Sequence, residues 1–333
     1  MPYPKAAPDG TIGAMTDLTD LELLHELAGT AETEVDRHLR HAVDWHPHDY
    51  VPWSRGQDFA ALGGRDFEES DSDLSPVARA ALVMNLLTED NLPSYHREIA
   101  ENFSLDGAWG YWVHRWTAEE ARHSIVLRDY LTVTRGVDPV ELEDLRMTQM
   151  QHGFAPGMNS MLLSVSYVTF QELATRISHR NTAAVCDDPI AERMLGRVAA
   201  DENLHMLFYR NILSAAIELA PEQALAAVYT VLTNFAMPGS ALPHFRRDAV
   251  LMAKHGIYDL RQHRDAVVLP VLRTWKLFDR TDLGGEAARM RDLICSFADE
   301  LDAKAIRFEE SRDRALARDA ARRERAVAGT AVR

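Results

Sequence analysis

The chain has 333 residues, 46% of them hydrophobic, and carries a formal charge of −15 at pH 7. That composition buries a sizeable core in one large domain or two ordinary ones, and the acidic balance argues against nonspecific nucleic-acid binding. Two cysteines, Cys186 and Cys295, cannot build a disulfide framework, no apolar run approaches the roughly 18 residues that span a bilayer, and neither a Gly-rich phosphate loop nor a G-x-S-x-G elbow is present.

The opening "MPYPKAAPDGTIG" has no apolar run behind its one Lys, so 1–16 reads as an N-terminal extension rather than a signal peptide, and a cytoplasmic location is expected. Residues 17–42 place Leu21, Leu24, Ala28, Ala31 and Val35 at helical spacing. Residues 43–75 are rich in Gly, Pro and Asp and read as a long ordered loop, a feature that is often functional. Pro76 stands where a helix can start. Long helical patterns follow at 76–103, 107–135, 157–185 and 188–218, with shorter ones at 138–151, 221–235, 241–254 and 258–280. Strand alternation is scarce. The reading is an all-α fold, with a single helical domain over 17–302 and a charged, Ala-rich helix or tail over 303–333.

Two of the long helices carry Glu-x-x-His: "EEARH" at 119–123 and "DENLH" at 201–205. With 14 histidines in the chain the motif alone is weak, and Glu22 with His25 matches it too. The helix face separates the cases. On 107–135 the apolar stripe runs Trp109, Trp112, Trp116, then Glu120 and His123, then Leu127 and Tyr130. On 188–218 it runs Ala191, Leu195, Val198, then Glu202 and His205, then Tyr209 and Ile212. Glu89 continues a stripe of Leu82 and Leu86, and Glu172 continues one of Met161, Val165 and Val168. Glu22 and His25 each lie one position beyond Leu21 and Leu24, roughly 100° off the stripe, and read as solvated.

Spacing adds depth to the pattern. Breaks at "LDG" (105–107) and "CDDP" (186–189) fall midway between Glu89 and Glu120 and between Glu172 and Glu202. Each pair reads as one antiparallel hairpin, with its glutamates roughly 15 residues, or about 22 Å, from the turn. Four helices thus bring carboxylates to one depth of a bundle. Buried together without compensation they would be very costly, and like charges so close would force protons onto some of them. Two divalent cations neutralise four carboxylates, and neutral imidazoles add no charge. One imidazole per metal among hard carboxylates suits iron or manganese better than zinc or copper, and two Glu plus two Glu-x-x-His is the ligand set of ferritin-like di-metal bundles.

The stretches "LLTEDNLPSYHREIA" (86–100), "WTAEEARHS" (116–124), "TFQELATRISHRNTA" (169–183), "ADENLHMLFYR" (200–210) and "WHPHDYVPW" (45–53) resemble the soluble acyl-acyl-carrier-protein desaturases in their actinobacterial form, over about 20–280. Ala121 and Ser124 depart from the Asn and Gly common there, and neither is a ligand. The resemblance implies a ferritin-like four-helix bundle core with additional helices. It implies two iron ions, with manganese as the alternative, held by Glu89, Glu120, His123, Glu172, Glu202 and His205. Of these, Glu120 and Glu202 are best placed to bridge. It further implies that Thr175 assists oxygen activation, that Asp201 orients a metal-bound imidazole, and that Trp45 passes electrons inward. For Thr175 a helix hydroxyl bonded to its own backbone is the plainer reading, and for Trp45 a buried ring that closes the loop.

Trp116, Ser164 and Val168 lie one or two turns from ligands on facing stripes and are candidates for an acyl channel or for plain core. The implied reaction removes two hydrogens from adjacent methylenes of an acyl chain on acyl-carrier protein, using dioxygen and electrons from a ferredoxin or similar donor. A homodimer is also implied. Both protein partners are expected to be acidic, so docking on an acidic chain needs a local basic patch, for which "RISHR" (176–180) and "HFRR" (244–247) are sources. Three other readings stay open: an iron-storage protein, a ribonucleotide reductase small subunit, which would keep a radical tyrosine where Leu127 stands, and a di-iron hydroxylase of a carrier-bound chain.

Overall fold

The computed structural model describes residues 17–154, 157–237 and 244–330, the last eight of these as backbone only. Among the described residues there is no strand. The long helices expected from periodicity form, and the points where they break are the informative ones.

Helices α1 (Asp20–Glu26) and α2 (Ala28–His41) replace the single helix expected over 17–42. Thr19 and Glu22 close a capping box at the start of α1, so Glu22 is spent on the helix end, and both it and His25 are exposed as expected. The capped start turns Leu23, Leu24 and Leu27 inward, whereas Leu21, placed on the apolar stripe from sequence, is 77% exposed. The segment 43–75 is an ordered loop with four short 3-10 turns. Arg135, at the end of the helix that follows it in space, clasps this loop. Its guanidinium donates to the carbonyls of Asp58 and Arg65, pairs with Asp71 and lies over the Phe59 ring.

The helix expected over 76–103 is two: α3 (Pro76–Glu89), capped by Ser75, and α4 (Leu92–Asn102). Pro93 is the cause. It has no N–H for the carbonyl of Glu89, and its ring clashes with that carbonyl in a continued helix. The side chain of Asn91 donates instead to the carbonyl of Leu87, which closes the end of α3.

Four helices make the bundle: α3, α5 (Gly107–Val133), α7 (Met161–Ala183) and α8 (Pro189–Leu219), with α6 (Pro139–His152) joining the two hairpins. The closest pair is α7 with α8, and α2 lies across α5 and α8. Outside the bundle lie α9 (Pro221–Asn234), α10 (Phe245–Lys254), α11 (Leu260–Gln262), a π-helical turn (His263–Val268) and α12 (Leu269–Thr274). The last helix, α13 (Gly285–Thr330), passes residue 302 without a break. Ile294, Ala298, Leu301 and Ala305 seat it against the core, and Arg261 pairs with Asp302 and Glu309 on it. No helix among the described residues is long and apolar enough to cross a membrane. Cys186 and Cys295 are unpaired.

Candidate metal centre

At mid-depth of the bundle the six side chains singled out by helical spacing converge. Glu89 comes from α3, Glu120 and His123 from α5, Glu172 from α7, and Glu202 and His205 from α8; all six are at most 5% exposed. They form two overlapping groups whose donor atoms lie within 4.8 Å of one another: Glu89, Glu120, His123 and Glu202, and Glu120, Glu172, Glu202 and His205. Glu120 and Glu202 belong to both groups, so their carboxylates stand where a bridge between two ions would be.

The donor atoms that face inward are the ones left without a hydrogen-bond partner: Nδ1 of His123 and His205, and one oxygen each of Glu120, Glu172 and Glu202. Buried polar atoms are almost always satisfied, so a cluster of orphans aimed at one point is what a cation site looks like without its cations. The charges agree. Burial first, and then Glu202 beside them, push the carboxyls of Glu120 and Glu172 above the usual range. Burial opposes charge on the two imidazoles, yet the crowd of carboxylates raises both well above an ordinary histidine. Four carboxylates and two imidazoles fit a pair of hard transition-metal ions.

The outer nitrogens of the two histidines are held in matching ways. His123 Nε2 lies 3.5 Å from Asp201 on α8, and His205 Nε2 lies 2.9 Å from Glu119 on α5. Each acid immediately precedes the Glu of the opposite Glu-x-x-His motif, so each motif orients the imidazole of the other. Asp201 also accepts from the indole of Trp45 at 2.6 Å and from Arg197. Glu119 also meets His38 of α2 at 2.9 Å and Arg115. Spacing found Asp201 only by resemblance and missed Glu119 and His38. It also missed His179, which sits on α7 two turns beyond Glu172, with Nε2 2.8 Å from Glu89.

The remaining candidates fall into place around this hub. The Thr175 hydroxyl donates to Glu202 at 2.7 Å and also lies 2.9 Å from the carbonyl of Glu172 on its own helix. Trp45 is buried and stacks over His123 with ring centroids 6.3 Å apart. Trp116 donates to Glu172 at 2.9 Å and lines a narrow slot together with Ser164, Val168, Tyr95, Met158 and Tyr167. Ser164 and Tyr95 have hydroxyls without partners there. Tyr130 turns away from the hub and donates to Asp188. "RISHR" divides: His179 points into the core, while Arg176 and Arg180 reach a surface groove. Arg246 and Arg247 are exposed at the start of α10.

A model of the family described as fatty acid desaturase matches residues 19–326. The chain belongs to that family. DesA1 of Mycobacterium tuberculosis strain H37Rv, named as an acyl-acyl-carrier-protein desaturase, is 53% identical over 311 residues, covering 91% of this chain and 92% of DesA1. A rice protein (Oryza sativa subsp. indica), the chloroplastic stearoyl-acyl-carrier-protein 9-desaturase 1, is 30% identical over 312 residues, covering 87% and 81% of the two chains. Among solved structures, the X-ray structure of M. tuberculosis DesA2 matches with a TM-score of 0.67 and 31% identity over 78% of this chain and 96% of that one. The DesA2 structure agrees with the all-helical bundle described above.

Proposed function

We propose that this desaturase-family chain inserts a double bond into an acyl chain carried on acyl-carrier protein, with two iron ions as its cofactor. The observation that carries the reading is the pair of four-residue groups sharing Glu120 and Glu202, set one side chain away from the slot that Trp116 lines. Iron would supply the electron chemistry that activates dioxygen as an oxidant of an unactivated methylene, which no side-chain acid or base provides.

The chain's own residues do the rest. Glu89, Glu120, His123, Glu172, Glu202 and His205 would hold the ions, Glu120 and Glu202 being the two carboxylates common to both groups. Asp201 and Glu119 keep the imidazoles with Nδ1 inward and Nε2 outward. Trp116, Ser164 and Val168 wall a slot of about 10 Å³ beside the Trp116–Glu172 hydrogen bond, which side-chain movement would widen to take an acyl chain. The Thr175 hydroxyl holds a proton beside Glu202. Trp45, joined through Asp201 to His123, is the inward route for electrons. The helical domain expected over 17–302, together with the part of α13 that continues it, serves as one catalytic unit, the working form is a cytoplasmic homodimer, and the electron donor is a ferredoxin or similar protein.

The test is mass spectrometry of products after anaerobic reduction, oxygen, and a panel of acyl-acyl-carrier-protein thioesters. A product two hydrogens lighter is expected. A product heavier by one oxygen would make the chain a hydroxylase, and iron uptake far beyond two per chain without product would make it a storage protein.

A further inference from the structure

The slot beside the hub has a mixed lining, and its polar groups divide into two kinds. Trp116 spends its indole on Glu172, Tyr167 its hydroxyl on the carbonyl of Ala236, and Glu98 a carboxylate oxygen on Arg97. Three others are uncommitted. The hydroxyls of Tyr95 and Ser164 have no partner, and the side-chain amide of Gln171 makes no hydrogen bond among the described residues. These residues are 8%, 1% and 6% exposed, so little bulk water reaches them. Thr117 on α5 and Thr169 on α7 turn their hydroxyls back onto the carbonyls of Val113 and Val165, one turn earlier in the same helix. Ser164 does not take that outlet.

A slot for plain hydrocarbon gains nothing from such groups. Methylenes packed against an unpaired hydroxyl forfeit the hydrogen bonds it made to water. At about 10 Å³ the slot holds one water at most, and an entering chain displaces it together with whatever hydrogen bonds it makes. An oxygen on the chain itself restores them. The lining suits either kind of oxygen, because both hydroxyls donate or accept and the amide does both. The helix also sets where that oxygen would ride. Gln171 adjoins Glu172 in sequence, while Ser164 lies two turns before it on α7, about 12 Å along the axis.

We propose that the slot selects an acyl chain carrying its own oxygen, a hydroxyl or keto group, which Tyr95, Ser164 and Gln171 read up to about 12 Å from the carbons that are desaturated. This rests on the desaturase reading and names the substrate class within it. The three side chains bind and select, and take no part in the oxidation. A chain without the oxygen leaves them unpaired, and unpaired buried groups discriminate far more steeply than a missing methylene does.

The test measures binding to the metal-loaded full chain by calorimetry, under anaerobic conditions so that nothing turns over. The probes are stearoyl-acyl-carrier protein and its hydroxystearoyl and oxostearoyl counterparts, with the oxygen moved along the chain. One oxygen position is expected to bind at least tenfold tighter than the plain chain. The double variant Y95F/S164A should bring that probe down to the level of the plain chain, with the plain chain bound at least as tightly as before. Its bound metal and melting temperature should not fall below wild-type values. Comparing the hydroxyl and keto probes then tells whether the chain's oxygen donates or only accepts. Equal affinity at every oxygen position would overturn the proposal. So would a preference for the plain chain, which would leave the hydroxyls to a trapped water. A double variant that weakens all thioesters alike would overturn it too, and would give the hydroxyls to the thioester carbonyl that all of them share. A preference seen in binding, without desaturated product from any thioester after reduction and oxygen, would sink the proposed function and leave the oxygen-reading slot standing.

Discussion

Replacing Glu172 by Gln should stabilise the metal-free protein and weaken the metal-loaded one. Glu172 is wholly buried, and its carboxyl is pushed up by burial and by Glu202 and Glu120. Gln keeps the shape and can still accept from the Trp116 indole, the one hydrogen bond that the Glu172 side chain makes. What it removes is one of four crowded carboxylates. Replacing buried ionic groups by neutral ones of similar volume is neutral to stabilising by about 1–4 kcal/mol for whole ion pairs, and about 2 kcal/mol is expected for this one crowded carboxyl. A chain of this length has an unfolding entropy near 0.7 kcal/mol/K, so the metal-free melting temperature should rise by about 3 °C. With metal the sign reverses, because the second four-residue group has lost a ligand. A hundredfold drop in affinity removes about 2.7 kcal/mol of ligand-linked stability. The assay is differential scanning calorimetry of chelated and anaerobically iron-loaded samples of both proteins. If the metal-free variant melts below the metal-free wild type, or if both gain equally from iron, the six residues do not form a charge-crowded cation site.

Five further outcomes are expected. Thr175→Val removes the hydroxyl 2.7 Å from Glu202 and should lower turnover about tenfold at unchanged iron content, read as product formed per chain per unit time. Ser164→Phe fills the slot that Trp116 and Val168 also line, and should shift the preferred acyl chain to a shorter one in a competition of thioesters. Arg246→Ala with Arg247→Ala should raise the apparent acyl-carrier-protein constant at intact iron content; an unchanged constant removes them from the docking surface. Arg135→Ala should open the 56–71 loop to trypsin, since it breaks the clasp on Asp58, Arg65 and Asp71. Arg65 and the Glu68 backbone hold Asp71 at about 2, below its ordinary value, so its part of the clasp is complete above about pH 4 and is lost as the pH falls toward 2. Hydrogen exchange of 56–71 across that window reads the loss.

The bundle and its six central side chains were legible because burial and chemistry share one helical period. A carboxylate on a stripe of Trp109, Trp112 and Trp116 has nowhere to go but inward, whereas Glu22 belongs to a helix cap. The outer acids were legible in principle too. Glu119 and Asp201 each stand one position before a motif glutamate, and His38 follows Ala31 and Val35 on the α2 stripe. Their roles depend on a crossing that spacing along one helix does not contain, since each acid serves the histidine of the opposite helix. Pro93 announced the break after Glu89, but a strong apolar period ran through it and hid the stop. The slot was only half legible: α5 and α7 give one wall, and the other comes from Tyr95 on α4 and Met158 in the loop before α7, outside any repeat.

The two-residue joint at Asp90 and Asn91 divides labour along what would otherwise be one rod. Below it Glu89 is pinned by His179 and faces His123; above it Tyr95 and Ile99 form slot wall. The α3 end is closed at that seam by the Asn91 side chain on the Leu87 carbonyl, independently of α4. The carboxylate of Glu89 and the slot wall of Tyr95 and Ile99 thus stand on two separately ended helices, so a change in the pitch of one need not turn the other.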